Sequence, residues 1–312
     1  MVEADRILRN YLTSGESSFP WEIHSTNMKI YLFNDTSRSR HAGCKAVMRS
    51  LKAELSSFAE IVAIHSVGGK VVDADAFAAC DAVVVNGEGT IHHDSPNANF
   101  LMMALAWAQA AGKKTALVNA LYQQEGSAFS QVLGRLDLLT VREVRSAANA
   151  RAQGGRPWVL PDSASDRAQL IAANPLKVVA GILKGGAHPK APSATWLDTI
   201  DVPKLDMSVG SFDEIVATLK QVDVYVTGQH HGVYAAALAG IPFVALTSNS
   251  HKVEGLIEWS GLPIPVVTNE AGVKPAIDYA LQNRDMFDAF AQFIASHDVV
   301  RANLMAEALK AR

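Results

Sequence analysis

Short runs of consecutive apolar residues alternate along this chain with longer stretches whose apolar positions recur every three or four residues. The first pattern reads as a strand buried on both faces, the second as a helix with one apolar side. In the first half the strand pattern falls at residues 28–34 (MKIYLFN), 60–66 (EIVAIHS), 82–86 (AVVVN), 115–120, 138–141 and 158–160. Helical patterns at 41–58, 73–80, 97–111 and 142–153 separate these runs, the third stopped by Gly112. A second alternating set opens with strands at 177–183 (KVVAGIL) and 204–209. It continues as helix 212–222, strand 224–227, helix 233–239, strand 243–246, helix 252–260 and strand 264–268. Residues 285–309 read as one helix of about seven turns.

Repeated β-α alternation predicts an α/β fold of two Rossmann-like, doubly wound parallel-sheet domains facing a cleft. The expected division is 1–165 for an N-terminal domain, 166–284 for a C-terminal domain and 285–312 for the last helix, with the junction within 162–175. Ligands of such sheets sit beyond the carboxyl ends of the strands, so the residues that follow each strand are the ones to read for chemistry.

Composition narrows the function. A length of 312 residues suits about two domains, and 49% hydrophobic with 19% charged residues supplies real cores. Twenty-eight Lys+Arg against 31 Asp+Glu gives a net charge of −3, which argues against a nucleic-acid partner. Cys44 and Cys80 are too few for a disulfide framework, and a reduced, cytoplasmic protein is expected. The first 21 residues lack the apolar core of a signal peptide. The longest apolar stretch, 100–111, is interrupted by Gln109 and too short to span a bilayer, so no transmembrane segment is expected.

Five of the ten histidines (His92, His93, His230, His231, His251) fall in three loops that follow predicted strands. In the first, Gly87-Glu88-Gly89-Thr90-Ile91-His92-His93-Asp94, the glycines let backbone N–H groups approach a ligand, although the third glycine of a dinucleotide fingerprint is missing. Glu88 and Asp94 are candidate general bases, and His92 and His93 candidate acid/base or anion-binding groups. In the second loop, Gln229-His230-His231-Gly232 precedes a small-residue helix whose N-terminus suits a phosphate or carboxylate. Neighbours on a helix diverge by about 100°, so only one of the two histidines faces the ligand, and His231 is favoured. The third, Ser248-Asn249-Ser250-His251-Lys252, again opens a helix; capping explains its serines, but a lysine at the positive end of the dipole suits an anion.

Arg142, just after strand 138–141, is placed either to grip a carboxylate with both guanidinium edges or to form a salt bridge at the helix start. Residues 184–188 (KGGAH) read as a flexible basic turn facing the same cleft. There is no H-E-x-x-H, no histidine pair at i, i+4 and no Cys/His set at zinc spacing, so no metal is expected.

Three of these segments, 83–94 (VVVNGEGTIHHD), 138–164 (LLTVREVRSAANARAQGG…VLPDSA) and 224–246 (VYVTGQHHGVYAAALAGIPFVAL), resemble the polysaccharide pyruvyl transferase family in the same order. The resemblance runs from about residue 29 to 262 and implies a fold similar to GT-B glycosyltransferases. It also implies transfer of a pyruvyl group from phosphoenolpyruvate to a sugar hydroxyl in glycan synthesis. The partners would be an anionic donor and a sugar acceptor, with no cofactor. The family's Arg-aliphatic-His element is matched at His231, while Gln229 stands in place of the donor-binding Arg and His230 in place of the aliphatic residue. Arg142, Glu143 and Ser146 retain the R-E-x-x-S element. Because Gln229 supplies no fixed charge, a metal-independent GT-B glycosyltransferase with a nucleotide-sugar donor is the second expectation and a non-catalytic glycan-binding protein the third. The last helix is expected to return to the N-terminal half, as in GT-B folds, or to make a homodimer contact.

Overall fold

The computed structural model describes residues 28–123, 126–177, 180–298 and 301–310. Its first sheet holds β1 (Lys29–Asp35), β2 (Glu60–Ser66), β3 (Ala82–Glu88), β4 (Lys114–Ala120), β5 (Leu138–Val141) and β6 (Trp158–Val159), ordered β2-β1-β3-β4-β5-β6 and parallel throughout. The second holds β7 (Ile182–Ala187), β8 (Val224–Gly228), β9 (Phe243–Leu246) and β10 (Val266–Val267), ordered β10-β9-β8-β7 and also parallel. Every residue of β3, β5, β8 and β9 is buried. Helices cover both faces of these strands, which is why they read as continuous apolar runs rather than alternating ones.

The first sheet carries α1 (Ala42–Ser56), α2 (Ala74–Ala79), α3 (Pro96–Ala110), α4 (Ser130–Gly134) and α5 (Val144–Ala152); the second carries α6 (Phe212–Leu219), α7 (His230–Ala239), α8 (Lys252–Ser260) and α9 (Val273–Gln282). Most boundaries follow local chemistry. Ser211 and Glu214 close a capping box on α6, and α7 and α8 stop at Gly240 and Gly261 with φ of 70° and 66°. The chain leaves β1 for β2 on one side and returns to β3 on the other, so the switch point lies between β1 and β3. At the carboxyl ends there, Asn34, Glu88 and Asn119 all hold positive φ (64°, 36° and 56°). Left-handed backbone at a non-glycine residue is strained, and such strain gathers at functional sites.

The two halves share one core. Ile30 and Leu32 of β1 pack with α1 and, through Ala164 of the junction, with Leu183, Tyr225 and Val233 of the second half. Tyr31 and Phe33, on the opposite face of β1, belong to a separate cluster with α3. Polar contacts reinforce the seam. Arg49 grips Asp213 with both guanidinium nitrogens (2.6 and 3.0 Å), Ala42 N–H donates to the Met207 carbonyl at 2.6 Å, and Arg145 pairs with Glu258 at 2.7 Å. α10 (Arg284–Asp298) packs on α7, and α11 (Arg301–Lys310) returns to α1, β4 and β5. Among the described residues no helix is long and apolar enough to cross a membrane.

Four elements differ from the sequence pattern. Of the strand expected at 177–183, residues 178–179 lie outside the described set and Ile182 and Leu183 open β7, whose last four residues are the KGGA stretch expected to be a flexible turn. Lys184 is buried there, its Nζ donating to the carbonyls of Leu197, Asp198 and Ile200 at 3.2, 3.0 and 2.6 Å. Gly185 and Gly186 are packing residues. A Cβ at 185 would overlap the Tyr225 hydroxyl, and one at 186 would lie 2.6 Å from Asp206 Oδ2. The strand expected at 204–209 is a single bridge, Lys184 to Lys204. The helix expected from 233 begins at His230, and the terminal helix is two, with residues 299–300 outside the described set.

Gly255 on α8 tests the seam, because a Cβ there would overlap the Glu143 carboxylate at the start of α5. Gly255→Ala should lower the urea unfolding free energy by about 1–3 kcal/mol, the usual range for overpacking. An unchanged midpoint would mean that α5 and α8 do not pack this closely.

Candidate active site between the two sheets

Asp162 leaves β6 at the junction and is completely buried. Its Oδ2 accepts from Arg142 Nη1 at 2.6 Å, and its Oδ1 accepts the Ala164 N–H at 2.9 Å, which fixes the turn that follows. The Asp162 N–H donates to the Tyr234 hydroxyl of α7 at 3.1 Å. His231 Nε2 lies 3.4 Å and His230 Nδ1 3.7 Å from Oδ2, so a guanidinium and two imidazoles surround one carboxylate. Burial alone would raise the Asp162 carboxyl, yet His231 and Arg142 beside it hold it well below the usual carboxylate range. Burial and the Arg142 charge push His230 well below the usual imidazole range.

Glu88, at the end of β3, accepts from Thr36 Oγ1 at 2.7 Å and from Asn86 Nδ2 at 3.4 Å, and is hydrogen-bonded by the Cys44 thiol. His41 precedes α1 with its ring centroid 5.2 Å from that of His231; burial and His231 bring its pKa down to about 3. Gly43 lies directly under His231, and a Cβ there would overlap the ring. Lys252 opens α8 and donates to Asn249 Oδ1 at 2.8 Å; burial and Arg142 lower its pKa to about 8.

Several polar atoms of these residues are buried without a hydrogen-bond partner: His41 Nδ1, Arg142 Nε, Ser163 Oγ, Gln229 Oε1 and both ring nitrogens of His230. A buried polar group left unsatisfied costs about 1–3 kcal/mol, so a concentration of them marks a place built for a polar ligand or ordered solvent. The N-terminus of α7, whose N-cap Gln229 makes no side-chain cap, opens onto the same place.

The structure thus brings together Arg142, His230, His231, Glu88 and Lys252. Arg142 makes its ion pair with Asp162, not with Glu143 at the helix start. Gln229 lies against Gly186, across from Asp206. Asn249 orients Lys252, and Ser248 donates to Asn249 Oδ1 at 3.3 Å; Ser250 is buried with its Oγ unpartnered.

His251 bridges the two halves, with Nε2 3.2 Å from Glu143 Oε1 and 3.3 Å from Ser146 Oγ, and its N–H donates to Gln123 Oε1 at 3.2 Å. Asp94 is exposed, and its Oδ1 accepts the Gly126 N–H at 2.7 Å. Gly87 serves packing, since a Cβ there would stand 2.5 Å from that of Ala120; at Gly89 the nearest atom would be Arg142 Nη2 at 3.9 Å. Thr90 Oγ1 accepts from Asn34 Nδ2 at 3.1 Å and braces the loop. His92 and His93 touch through their Nδ1 atoms (2.6 Å) at the rim, where burial, His93 and Lys252 lower the His92 pKa to about 4.

Sequence reasoning overlooked Asp162, His41 and Cys44 as site residues. The strand-end rule that found Arg142 would also have found Asp162, which follows β6. Among the described residues, two groups of side chains also stand close enough to hold an ion, His41–Cys44–His231 and Asp162–His230–His231, with ligand atoms within 4.8 Å of one another in each.

The profile of a family described as polysaccharide pyruvyl transferase matches residues 5–250. No curated protein matches the chain by sequence. Among solved structures the chain is similar to UDP-N-acetylglucosamine 2-epimerase from Rickettsia bellii, with TM-score 0.54, 9% identity, and coverage of 90% of this chain and 99% of that one. S. aureus MnaA, solved with UDP, gives TM-score 0.54 at 13% identity over 86% and 92% of the two chains. The glycotransferase of kitacinnamycin gives 0.51 at 12% over 92% and 100%. These likenesses show the fold, a GT-B-like pair of Rossmann-like domains.

Asp162→Ala would leave the Arg142 guanidinium buried without its carboxylate. Unfolding in urea should then lose about 3–5 kcal/mol, and a loss below about 1 kcal/mol, the scale of an exposed pair, would contradict the geometry. The Asp162 pKa is lower folded than unfolded, so its stabilisation is present above the unfolded value of about 3.9 and is lost as pH falls through the folded one. The acid limb of stability should accordingly flatten in the variant.

Proposed function

The chain belongs to the polysaccharide pyruvyl transferase family, and on that footing we propose that it transfers a pyruvyl group from phosphoenolpyruvate to hydroxyls of a sugar acceptor. The observation that carries the reading is the buried Arg142–Asp162–His230–His231 cluster, with its unpartnered polar atoms and with Lys252 at its edge. A donor with a carboxylate and a phosphate needs fixed positive potential in a dry site. Lys252, the unpartnered Nε of Arg142 and the N-terminus of α7 supply it.

His231 delivers a proton to the enol methylene, which becomes the methyl group, and leaves the neighbouring carbon electron-poor. A sugar hydroxyl adds to that carbon while Glu88 takes its proton. A second hydroxyl of the same sugar then displaces inorganic phosphate, which carries away the remaining proton and leaves a pyruvate ketal. Asp162 is a positioning residue in this scheme, holding Arg142 and both imidazoles in place. One observation favours a second reading, a nucleotide-sugar donor: Gln229, at the position of the family's donor-binding Arg, is neutral and keeps its Oε1 buried and unpaired.

Melting with phosphoenolpyruvate, CMP, UDP or GDP separates the two. A bound ligand at 100 times its Kd adds about 2.7 kcal/mol. Stabilisation by phosphoenolpyruvate is expected; a response to nucleotides alone would remove the pyruvyl reading. His231→Ala should reduce turnover at least ~100-fold without losing the thermal response to the donor. Because Lys252 loses its charge near pH 8, KM for phosphoenolpyruvate should rise above that pH. Lys252→Met should abolish this pH dependence, and its persistence would place the titrating group elsewhere.

A further inference from the structure

The spacing of ligands along the chain gives no metal motif, but the fold assembles a ligand set from two distant segments. His41 precedes α1, Cys44 sits three residues on in its first turn, and His231 faces them from α7. One ligating atom of each lies within 4.8 Å of the others. Tetrahedral bonds of about 2.1 Å to nitrogen and about 2.3 Å to sulfur place such atoms roughly 3.4–3.7 Å apart, so a closure of about 1 Å completes the set.

Three further features fit a cation there. His41 Nδ1 is buried and bonded to nothing. The two imidazoles are tilted by 55°, and the missing Cβ at Gly43 lets α1 approach the His231 ring closely. The charged groups around the set are Arg142 and Lys252 against Glu88, Asp162 and Asp206, so a dication meets an excess of one negative formal charge.

We propose that His41, Cys44 and His231 form a site for a soft divalent transition metal of the zinc class, its fourth position open toward the Arg142–Asp162 cluster. Two imidazole nitrogens and a thiolate are a ligand set that such ions take with one position free. Binding converts the Cys44 thiol to a thiolate and releases its proton to solvent. A ligated His231 delivers no proton, so occupancy by the metal and pyruvyl transfer exclude each other. That corollary rests on the proposed function; metal binding itself does not.

The full chain, stripped with a chelator, is titrated with Co(II) alone and followed by absorbance. The expected result is one equivalent bound with an intense thiolate-to-cobalt band, displaced by Zn(II). Cys44→Ser should abolish the band, and His41→Ala should weaken binding at least tenfold, both with wild-type circular dichroism. No band in the wild type, a band that survives Cys44→Ser, or one lost instead in Cys80→Ser would overturn the site. If His41→Ala fails to fold, loss of the band in Cys44→Ser still decides the matter. Zn(II) that binds through Cys44 yet leaves pyruvyl transfer at full rate would uphold the site and remove His231 as the acid. Absence of binding, with transfer still dependent on His231, would overturn the site and leave the transferase reading standing.

Discussion

The constraint on which the site depends is the buried ion pair between Arg142 and Asp162. Such a pair is not an efficient source of stability, because taking two charges out of water costs about as much as their attraction returns. Its effect here is positional. It ties the end of β5 to the junction between the halves and places a fixed carboxylate beside the first turn of α7. It also leaves one edge of the guanidinium unsatisfied, so the positive potential is not fully spent within the protein.

That placement holds because the two halves are not loosely hinged. A continuous apolar core runs from β1 and α1 through Ala164 into β7, β8 and α7, and α11 closes back on the first sheet. Interfaces that are large and apolar suppress the relative motion otherwise expected of two domains. The glycines mark where the fit is closest. Gly43 brings α1 onto the His231 ring, and Gly255 brings α8 onto Glu143, the residue that pairs with His251. The strained ends of β1, β3 and β4 at Asn34, Glu88 and Asn119 border the same region, where the strand order reverses.

Much of this was legible in the amino-acid pattern, for physical reasons that also explain the failures. Strands covered on both faces leave an unmistakable apolar run, and the residues after them lie in the crevice, so Arg142, Glu88, His231 and Lys252 could be picked out without coordinates. What the pattern does not carry is long-range: Asp162 follows a strand as Arg142 does, but its partners lie 20 and 72 positions away, and nothing local announces either contact. His251 carries the same strand-end signature as His231, and its contact with Glu143, a residue of the other half, is equally invisible in the pattern. In the KGGA stretch glycine suggested mobility, whereas tight packing against Tyr225 and Asp206 was the cause.

The central claim is that this cluster, shared by both halves, receives an anionic donor. A crystal structure of the protein soaked with phosphoenolpyruvate tests it most directly. The donor is expected between the first turn of α7 and Lys252, with its anionic groups within hydrogen-bond distance of Lys252 Nζ and Arg142 Nε. A donor bound elsewhere, with Arg142, His230 and His231 untouched, would contradict it.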